Sequence, residues 1–151
     1  MILKFLPNVP AFEVTDLSKS YYIKNEQDED IGIVEGYGNE DGALLSKVKI
    51  YNPKYQGKGI GFEAFNKIFD EIDRIVPVKK IVGSWSSGDE FKNFEDGMST
   101  NLKVFLESSK TENEKNSAYL TPTGKWAQRL GFKNCEILSN SKDEVMVVFS
   151  K

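Results

Sequence analysis

A glycine-rich segment, residues 48–61 with the sequence VKIYNPKYQGKGIG, constrains the fold of this chain more than any other feature. Before it, residues 43–51 alternate between two faces as a β-strand does. After it, apolar residues recur every three or four positions over 59–75, as in an amphipathic helix. Pro77 ends this helix, and residues 80–85 then form the next strand. The order strand, helix, strand predicts parallel strands joined by a right-handed crossover, which is typical of α/β proteins.

The remaining apolar pattern continues the alternation of short strands and helices and predicts an α/β fold. Residues 132–138 and 144–149 form an antiparallel pair at the end of the sequence. Residues 88–116 lack the apolar content for a core of their own, so we read them as an insertion within one domain that spans 1–151. Further strands are predicted at 20–24 and 31–37, and further helices at 101–109 and 123–130.

The composition excludes several kinds of site and partner. The chain has no histidine and one cysteine, which excludes a Ser-His-Asp or Cys-His catalytic group, a histidine-ligated zinc site and an internal disulfide. Its net charge of −3 gives no basic surplus for binding nucleic acid, and it has no apolar stretch long enough to span a membrane. We therefore expect a cytoplasmic protein with no metal ion, no nucleic-acid partner and no membrane contact.

The glycines of the segment make it suited to bind a phosphate group. Gly57, Gly59 and Gly61 let the backbone bend sharply and approach a ligand closely. The helix that follows adds N–H groups and a partial positive charge at its first turn, and Lys54 and Lys58 add mobile charge. The spacing fits neither the P-loop, which needs Gly-Lys-Ser/Thr, nor the dinucleotide fingerprint Gly-x-Gly-x-x-Gly. A tight strand-to-helix turn without a ligand is the alternative interpretation.

Two motifs resemble those of the GCN5-related N-acetyltransferases, the GNAT superfamily. Gln56, Gly59 and Gly61 match its pyrophosphate-loop pattern Gln/Arg-x-x-Gly-x-Gly/Ala. Residues 123–132, TGKWAQRLGF, resemble the family's late helix, which ends in Leu-Gly-Phe, and a predicted strand separates the two motifs as in the family. The resemblance covers about 31–149 and implies the family's acyl-CoA N-acyltransferase fold, a mixed sheet of six or seven strands flanked by helices. Because few residues precede the first predicted strand, we expect the family's N-terminal substrate-binding part to be reduced or remodelled.

The resemblance implies an acetyl-CoA-dependent enzyme that moves the acetyl group directly to a primary amine, of a small molecule or of a protein lysine or N-terminus. Acetyl-CoA would be the cosubstrate, no metal would be needed, and the protein could pair as a homodimer. The pantetheine arm would lie in a splayed sheet between the strands at 43–51 and 80–85. A backbone N–H near the end of the earlier strand would polarise the thioester carbonyl. The residues implied in binding acetyl-CoA are Val48, Ile50, Tyr51, Gln56, Gly57, Lys58, Gly59, Ile60 and Gly61.

The residues that would move protons are less well defined by the sequence. Many relatives carry a tyrosine four residues before the glycine of Leu-Gly-Phe, where it protonates the leaving thiolate, but this chain has Ala127 there. Tyr119 is the nearest tyrosine that could replace it, and Glu35, inside a predicted strand, is the candidate base. Each candidate also has a structural interpretation. Tyr119 would be a packing residue, Glu35 a side chain that faces solvent, and the acidic turn at 25–30 a solvated surface. A non-catalytic acyl-CoA-binding protein and a protein-interaction module that uses 88–116 are the alternative functions.

Overall fold

The computed structural model describes residues 1–8, 16–87 and 99–151, and they divide into two compact units, Met1–Val78 and Lys79–Lys151. Across these described parts there are seven β-strands and four α-helices, so the predicted α/β class with six or seven strands is confirmed. No helix in the described parts is long and apolar enough to cross a membrane.

The first unit is an antiparallel sheet with a helix packed on one face. Its elements are β1 (Lys4–Pro7), β2 (Ser18–Lys24), β3 (Asp30–Gly38), β4 (Ala43–Ile50) and α1 (Ile60–Asp73). The strands pair in chain order, β1 with β2, β2 with β3 and β3 with β4. The bounds of β3 and β4 lie within one residue of those predicted, because each strand is bounded by residues that favour turns.

Helix α1 packs on β3 through a stripe of buried apolar side chains. Phe65, Ile68 and Ile72 are each at most 1% exposed, and they follow the three- and four-residue spacing of the sequence pattern. Gly36 of β3 lets the helix approach closely, since a Cβ there would come within 2.1 Å of Cγ2 of Ile68. Because side chains alternate along a strand, the neighbouring Glu35 points to the face of the sheet opposite α1.

Strand β1 is absent from the sequence-based prediction and is held by contacts that are distant in sequence. The hydroxyl of Tyr21 on β2 donates to both carboxylate oxygens of Glu71 on α1, at 2.8 and 2.9 Å. Burial and the Glu71 carboxylate raise the pKa of Tyr21 to about 12. Lys67 of α1 places its Nζ 5.0 Å from the centre of the Tyr21 ring and 5.3 Å from that of Phe5 on β1. These contacts fix the edge of the sheet to the helix.

In its described residues, 79–87 and 99–151, the second unit contains three strands and three helices. They are β5 (Lys80–Ser86), α2 (Thr100–Ser108), α3 (Glu114–Leu120), α4 (Pro122–Arg129), β6 (Asn134–Asn140) and β7 (Glu144–Ser150). Strand β7 pairs antiparallel with both β5 and β6, which confirms the predicted pair at the end of the sequence. Within the predicted insertion at 88–116 lie α2 and the start of α3, while 88–98 fall outside the described residues. The fully buried core of this unit includes Ile81, Leu102, Phe105, Phe132 and Phe149.

Helices α3 and α4 meet at Thr121, which ends the first and begins the second. Its hydroxyl accepts a hydrogen bond from the N–H of Gly124 at 3.0 Å and donates one to the carbonyl of Ala118 at 2.6 Å. Asn101 on α2 adds a second cap, because its side-chain oxygen accepts from the N–H of Thr123 at 3.0 Å. The start of α4 is therefore capped twice, once by α2, which fixes the position of the three helices relative to one another.

Candidate functional site

The chain turns sharply between the end of β4 and the start of α1. The side chain of Asn52 accepts a hydrogen bond from the backbone N–H of Lys54 at 3.2 Å and so caps a 3-10 turn at Pro53–Tyr55. The side chain of Gln56 then donates to the carbonyl of Ile50, the last residue of β4, at 2.8 Å. These two hydrogen bonds help to close the turn and give Asn52 and Gln56 a local structural role.

Two glycines of the loop that follows have a left-handed backbone. Gly57 has φ 73° and Gly59 has φ 79°, a region that strains residues with a side chain. A Cβ at either position would meet no protein atom within 4 Å, so packing does not explain these glycines. Gly61 lies inside the first turn of α1. The loop therefore uses glycine for its conformation, and the backbone at Gly57 and Gly59 is not covered by protein.

Helix α1 begins at this loop without a side-chain cap. Gly59 is the N-cap residue and has no side chain that could accept from the first-turn N–H groups. Such groups lack partners within their helix and together carry about half a unit of positive charge. Ile60 is 5% exposed and anchors the helix start in the core, whereas Lys54 and Lys58 are exposed. The arrangement suits an anion with the size and charge of a phosphate or pyrophosphate.

A partly buried hydrogen-bond network supports the loop from the β2–β3 turn. The hydroxyl of Tyr55 donates to the carboxylate of Glu29, and the side-chain amide of Asn25 donates to the Tyr55 oxygen at 2.9 Å and to Glu29 at 3.0 Å. Tyr55 and Asn25 are each 4% exposed. The hydrogen bonds from Tyr55 and then Asn25 hold the pKa of Glu29 below its usual range. The interpretation of the acidic turn as solvated surface is therefore incomplete for Glu29, because the Glu29 carboxylate accepts hydrogen bonds from two buried side chains.

The predicted contacts on β4 lie at its end nearest the loop. Val48 pairs with Val34 of β3, and Ile50 pairs with Gly32, and both β4 side chains are half-buried. Tyr51 follows directly and is 45% exposed, while burial and then the Asp30 carboxylate raise the pKa of its hydroxyl. The structure therefore brings the residues predicted to contact acetyl-CoA into one continuous segment, from the end of β4 to the first turn of α1.

Glu35 lies on β3 in the same unit, away from the loop. It pairs with Lys47 of β4, three residue pairs from Ile50, which is a distance of roughly 10 Å along the strand. Its carboxylate accepts a hydrogen bond from the hydroxyl of Tyr37 at 3.1 Å, and it is half-buried. Burial and then Glu35 raise the pKa of Tyr37. In the described parts of the chain, no three acidic or thiol groups come together in a way that could hold a metal ion.

Tyr119 is the only tyrosine of the second unit, and its hydroxyl has a partner. It donates to the backbone carbonyl of Phe132 at 3.0 Å, and its ring centre lies 5.3 Å from that of Phe149. Burial, followed by the effect of Cys135, raises the pKa of Tyr119 to about 12. Ala127, at the position where many GNAT members carry a tyrosine, is fully buried. Tyr119 is therefore a protonated, packed phenol at neutral pH.

The comparisons with known proteins find similarity in structure but not in sequence. No family model matches the sequence, and no curated protein matches it. A GNAT family acetyltransferase from Elizabethkingia anophelis, solved with acetyl-CoA bound, has a TM-score of 0.50 at 12% identity and is covered over 98% of its length by 99% of this chain.

Two further acetyltransferases match with the same TM-score of 0.50. A chimera of the spermidine N-acetyltransferase from Vibrio cholerae and hSSAT is 16% identical, with 88% of this chain covering 68% of that one. A nourseothricin acetyltransferase is 11% identical, with 89% of this chain covering 64% of that one. The chain thus spans about two thirds of the length of these two proteins. Its fold is that of the GNAT acetyltransferases, as the two sequence motifs predict.

Proposed function

We propose that this protein is an acetyl-CoA-dependent N-acetyltransferase that transfers the acetyl group to a primary amine. The observation that carries the proposal is the loop between β4 and α1, on the GNAT fold. Its left-handed Gly57 and Gly59 leave the backbone uncovered directly before a helix without a side-chain cap. A structural neighbour with acetyl-CoA bound supports the choice of cosubstrate.

Each part of the loop has a proposed task. The backbone N–H groups of 56–61 bind the pyrophosphate, with Lys58 adding charge. The backbone of Val48 and Ile50 pairs with the pantetheine arm as an added strand would, and the N–H of Ile50 or Tyr51 polarises the thioester carbonyl. These roles use the backbone, so they demand a loop conformation more than particular side chains.

The reaction needs no covalent enzyme intermediate. The amine nitrogen attacks the thioester carbonyl, a C–N bond forms and the C–S bond breaks, one proton leaves the nitrogen and one reaches the sulphur. Cys135 has no part in this scheme, because burial raises its pKa to about 11 and it is therefore a thiol at neutral pH. Glu35, half-buried on β3, is the proposed base that accepts the proton from the nitrogen directly or through water.

Tyr119 is the proposed proton donor to the thiolate, with a modest contribution. Transfer from a phenol with a pKa of about 12 to a thiolate with an ordinary pKa of about 8.5 is uphill. Tyr119→Phe should therefore lower kcat by about tenfold, below the usual 10²–10⁴-fold of general-acid catalysis, and leave the Kd for acetyl-CoA unchanged. Tyr21→Phe, which removes another bonded tyrosine hydroxyl, is the control for lost stability. An unchanged kcat would make Tyr119 a packing residue only.

The proposed function is tested by thermal unfolding with acetyl-CoA and by a transfer assay on a broad panel of amines. A ligand at 100 times its Kd should add about 2.7 kcal/mol to the free energy of unfolding. We expect stabilisation by acetyl-CoA and by CoA, together with release of free thiol in the presence of an acceptor amine. A protein that neither ligand stabilises would contradict the proposal.

A second candidate function is acyl-CoA binding without turnover. The specific observation in its favour is that Ala127 is fully buried where relatives place the acid tyrosine, while the Tyr119 hydroxyl is bonded to a backbone carbonyl. Stabilisation by acetyl-CoA without acetyl transfer to any amine would favour this function over the first.

A further inference from the structure

We propose that the β2–β3 turn sets the position of the pyrophosphate loop, with Glu29 and Asn25 acting as positioning residues through Tyr55. The inference rests on the proposed function and adds a part of the chain that neither motif includes. Glu29 and Asn25 lie 26 and 30 residues before Tyr55 in sequence, and both bond to its hydroxyl.

The loop has one buried anchor before the helix. Between Ile50 and Ile60, Tyr55 is the only buried side chain, and the four residues 56–59 that follow it are exposed. The side-chain hydrogen bonds that close the turn come from Asn52, which is half-buried and also donates to the carbonyl of Asp30 at 3.3 Å, and from the exposed Gln56. The depth and direction of Tyr55 therefore decide where the exposed amides of the loop lie.

The partners of the Tyr55 hydroxyl are themselves fixed. The side-chain oxygen of Asn25 accepts from the N–H groups of Gln27 and Glu29, each at 3.0 Å, and its amide nitrogen donates to Glu29 and Tyr55. Every polar atom of this buried side chain is thus bonded, and rotating it would break several hydrogen bonds at once. The turn therefore holds Asn25 firmly as a donor to Tyr55, and Asn25 also donates to the partly exposed Glu29 carboxylate that accepts from Tyr55.

The charge of Glu29 opposes the anion that the loop is proposed to bind. Its carboxylate lies 3.8 Å from Nζ of Lys54, so it also draws a cation away from the loop. A purely electrostatic role would make Glu29 unfavourable for acetyl-CoA. The hydrogen bond that Glu29 accepts from Tyr55 should instead favour acetyl-CoA binding, because it holds the loop in position. The two roles of Glu29 therefore predict opposite effects on acetyl-CoA affinity.

Tyr55→Phe and Tyr21→Phe form a matched pair of variants. Each variant keeps the ring and loses one hydroxyl that is bonded to a carboxylate in the first unit. Only the Tyr55 hydroxyl joins the loop to the β2–β3 turn, whereas that of Tyr21 bonds to Glu71 on α1. We expect Tyr55→Phe to raise the Kd and KM for acetyl-CoA about three- to tenfold, the range of one lost hydrogen bond, with kcat unchanged. The kcat/KM for acetyl-pantetheine, which lacks the pyrophosphate, should stay at the wild-type value. Tyr21→Phe should change none of these quantities.

Variants at Glu29 test whether its hydrogen bond or its charge determines the affinity for acetyl-CoA. Glu29→Gln keeps an oxygen that accepts from Tyr55 and removes the charge, so acetyl-CoA affinity should stay at the wild-type value or rise, whereas Glu29→Ala should weaken it as Tyr55→Phe does. Equal affinity in Tyr55→Phe and Tyr21→Phe would overturn the inference, as would equal losses for acetyl-CoA and acetyl-pantetheine. Wild-type protein that binds no acetyl-CoA would overturn the proposed function as well, so the two failures are distinguishable.

Discussion

Gly59→Glu is expected to remove measurable acetyl-CoA binding while the protein still folds. The substitution places a carboxylate at the N-cap of α1, where the pyrophosphate is proposed to meet the helix amides. The new side chain has room, because a Cβ at Gly59 meets no protein atom within 4 Å. Its backbone strain at φ 79° should cost about 1–2 kcal/mol of stability. Repulsion and obstruction together should weaken binding by more than about 100-fold.

Gly131→Glu is the matched control for this variant. Gly131 has φ 92°, a Cβ there also meets no protein atom within 4 Å, and it lies outside the proposed loop. Both variants should lose similar stability in urea unfolding, but only Gly59→Glu should lose acetyl-CoA affinity by calorimetry. An affinity within about threefold of wild type in Gly59→Glu would show that the loop does not bind the pyrophosphate.

The segment that carries the candidate site could be predicted because its signals are local. The strand at 43–51 and the helix at 59–75 compare with observed bounds of Ala43–Ile50 and Ile60–Asp73. Alternating side chains, glycines with positive φ and a three- and four-residue apolar spacing all act within a few residues of one another. The helix is shorter than predicted at its C-terminal end, where Asp73 accepts from the N–H of Val78 at 2.8 Å.

Two elements could not be predicted because tertiary contacts stabilise them. Strand β1 has only four residues, and it is secured by Lys67 and Tyr21, whose positions depend on the folded sheet. Helix α3 begins in a polar stretch with no apolar spacing. Asn113 caps it through the N–H of Asn116 at 2.8 Å, and Ser117 is fully buried with its hydroxyl bonded to a backbone carbonyl. A polar sequence of this kind gives no period that a sequence analysis could detect.

The hydrogen bonds that hold the loop in place could not be predicted from the sequence either. Tyr55 lies in the glycine-rich segment 48–61, but its partners Glu29 and Asn25 lie in an acidic turn whose composition is that of ordinary solvated surface. Nothing in the spacing of these residues links them, since the sheet register alone brings the β2–β3 turn beside the end of β4. The conformation of the loop was therefore easier to predict than the side chains that hold it in place.

Gly124→Ala should destabilise the second unit more than an alanine in a helix normally could. A Cβ at Gly124 would lie 1.9 Å from the carbonyl oxygen of Ala118 and 2.8 Å from Cα of Tyr119, and both are backbone atoms that cannot rotate away. The same carbonyl accepts from the Thr121 hydroxyl at 2.6 Å, so separating α3 from α4 also breaks that contact. We expect a loss of about 3 kcal/mol in the free energy of unfolding, at the upper end of the cost of overpacking.

The direction of the stability change in Gly124→Ala tests the close contact between α3 and α4. On an unconstrained helix, glycine to alanine raises stability by about 1 kcal/mol, so a gain in the urea midpoint of Gly124→Ala would contradict the close contact between α3 and α4. Gln128→Ala, on the exposed side of α4, is the control and should change stability by no more than about 0.5 kcal/mol. Because α3 carries Tyr119, a loosened corner should also expose its hydroxyl to water, and burial is the main cause of its raised pKa. In the folded fraction of Gly124→Ala, the pKa of Tyr119 should therefore fall from about 12 towards its ordinary value of 10.0, measured by ultraviolet titration.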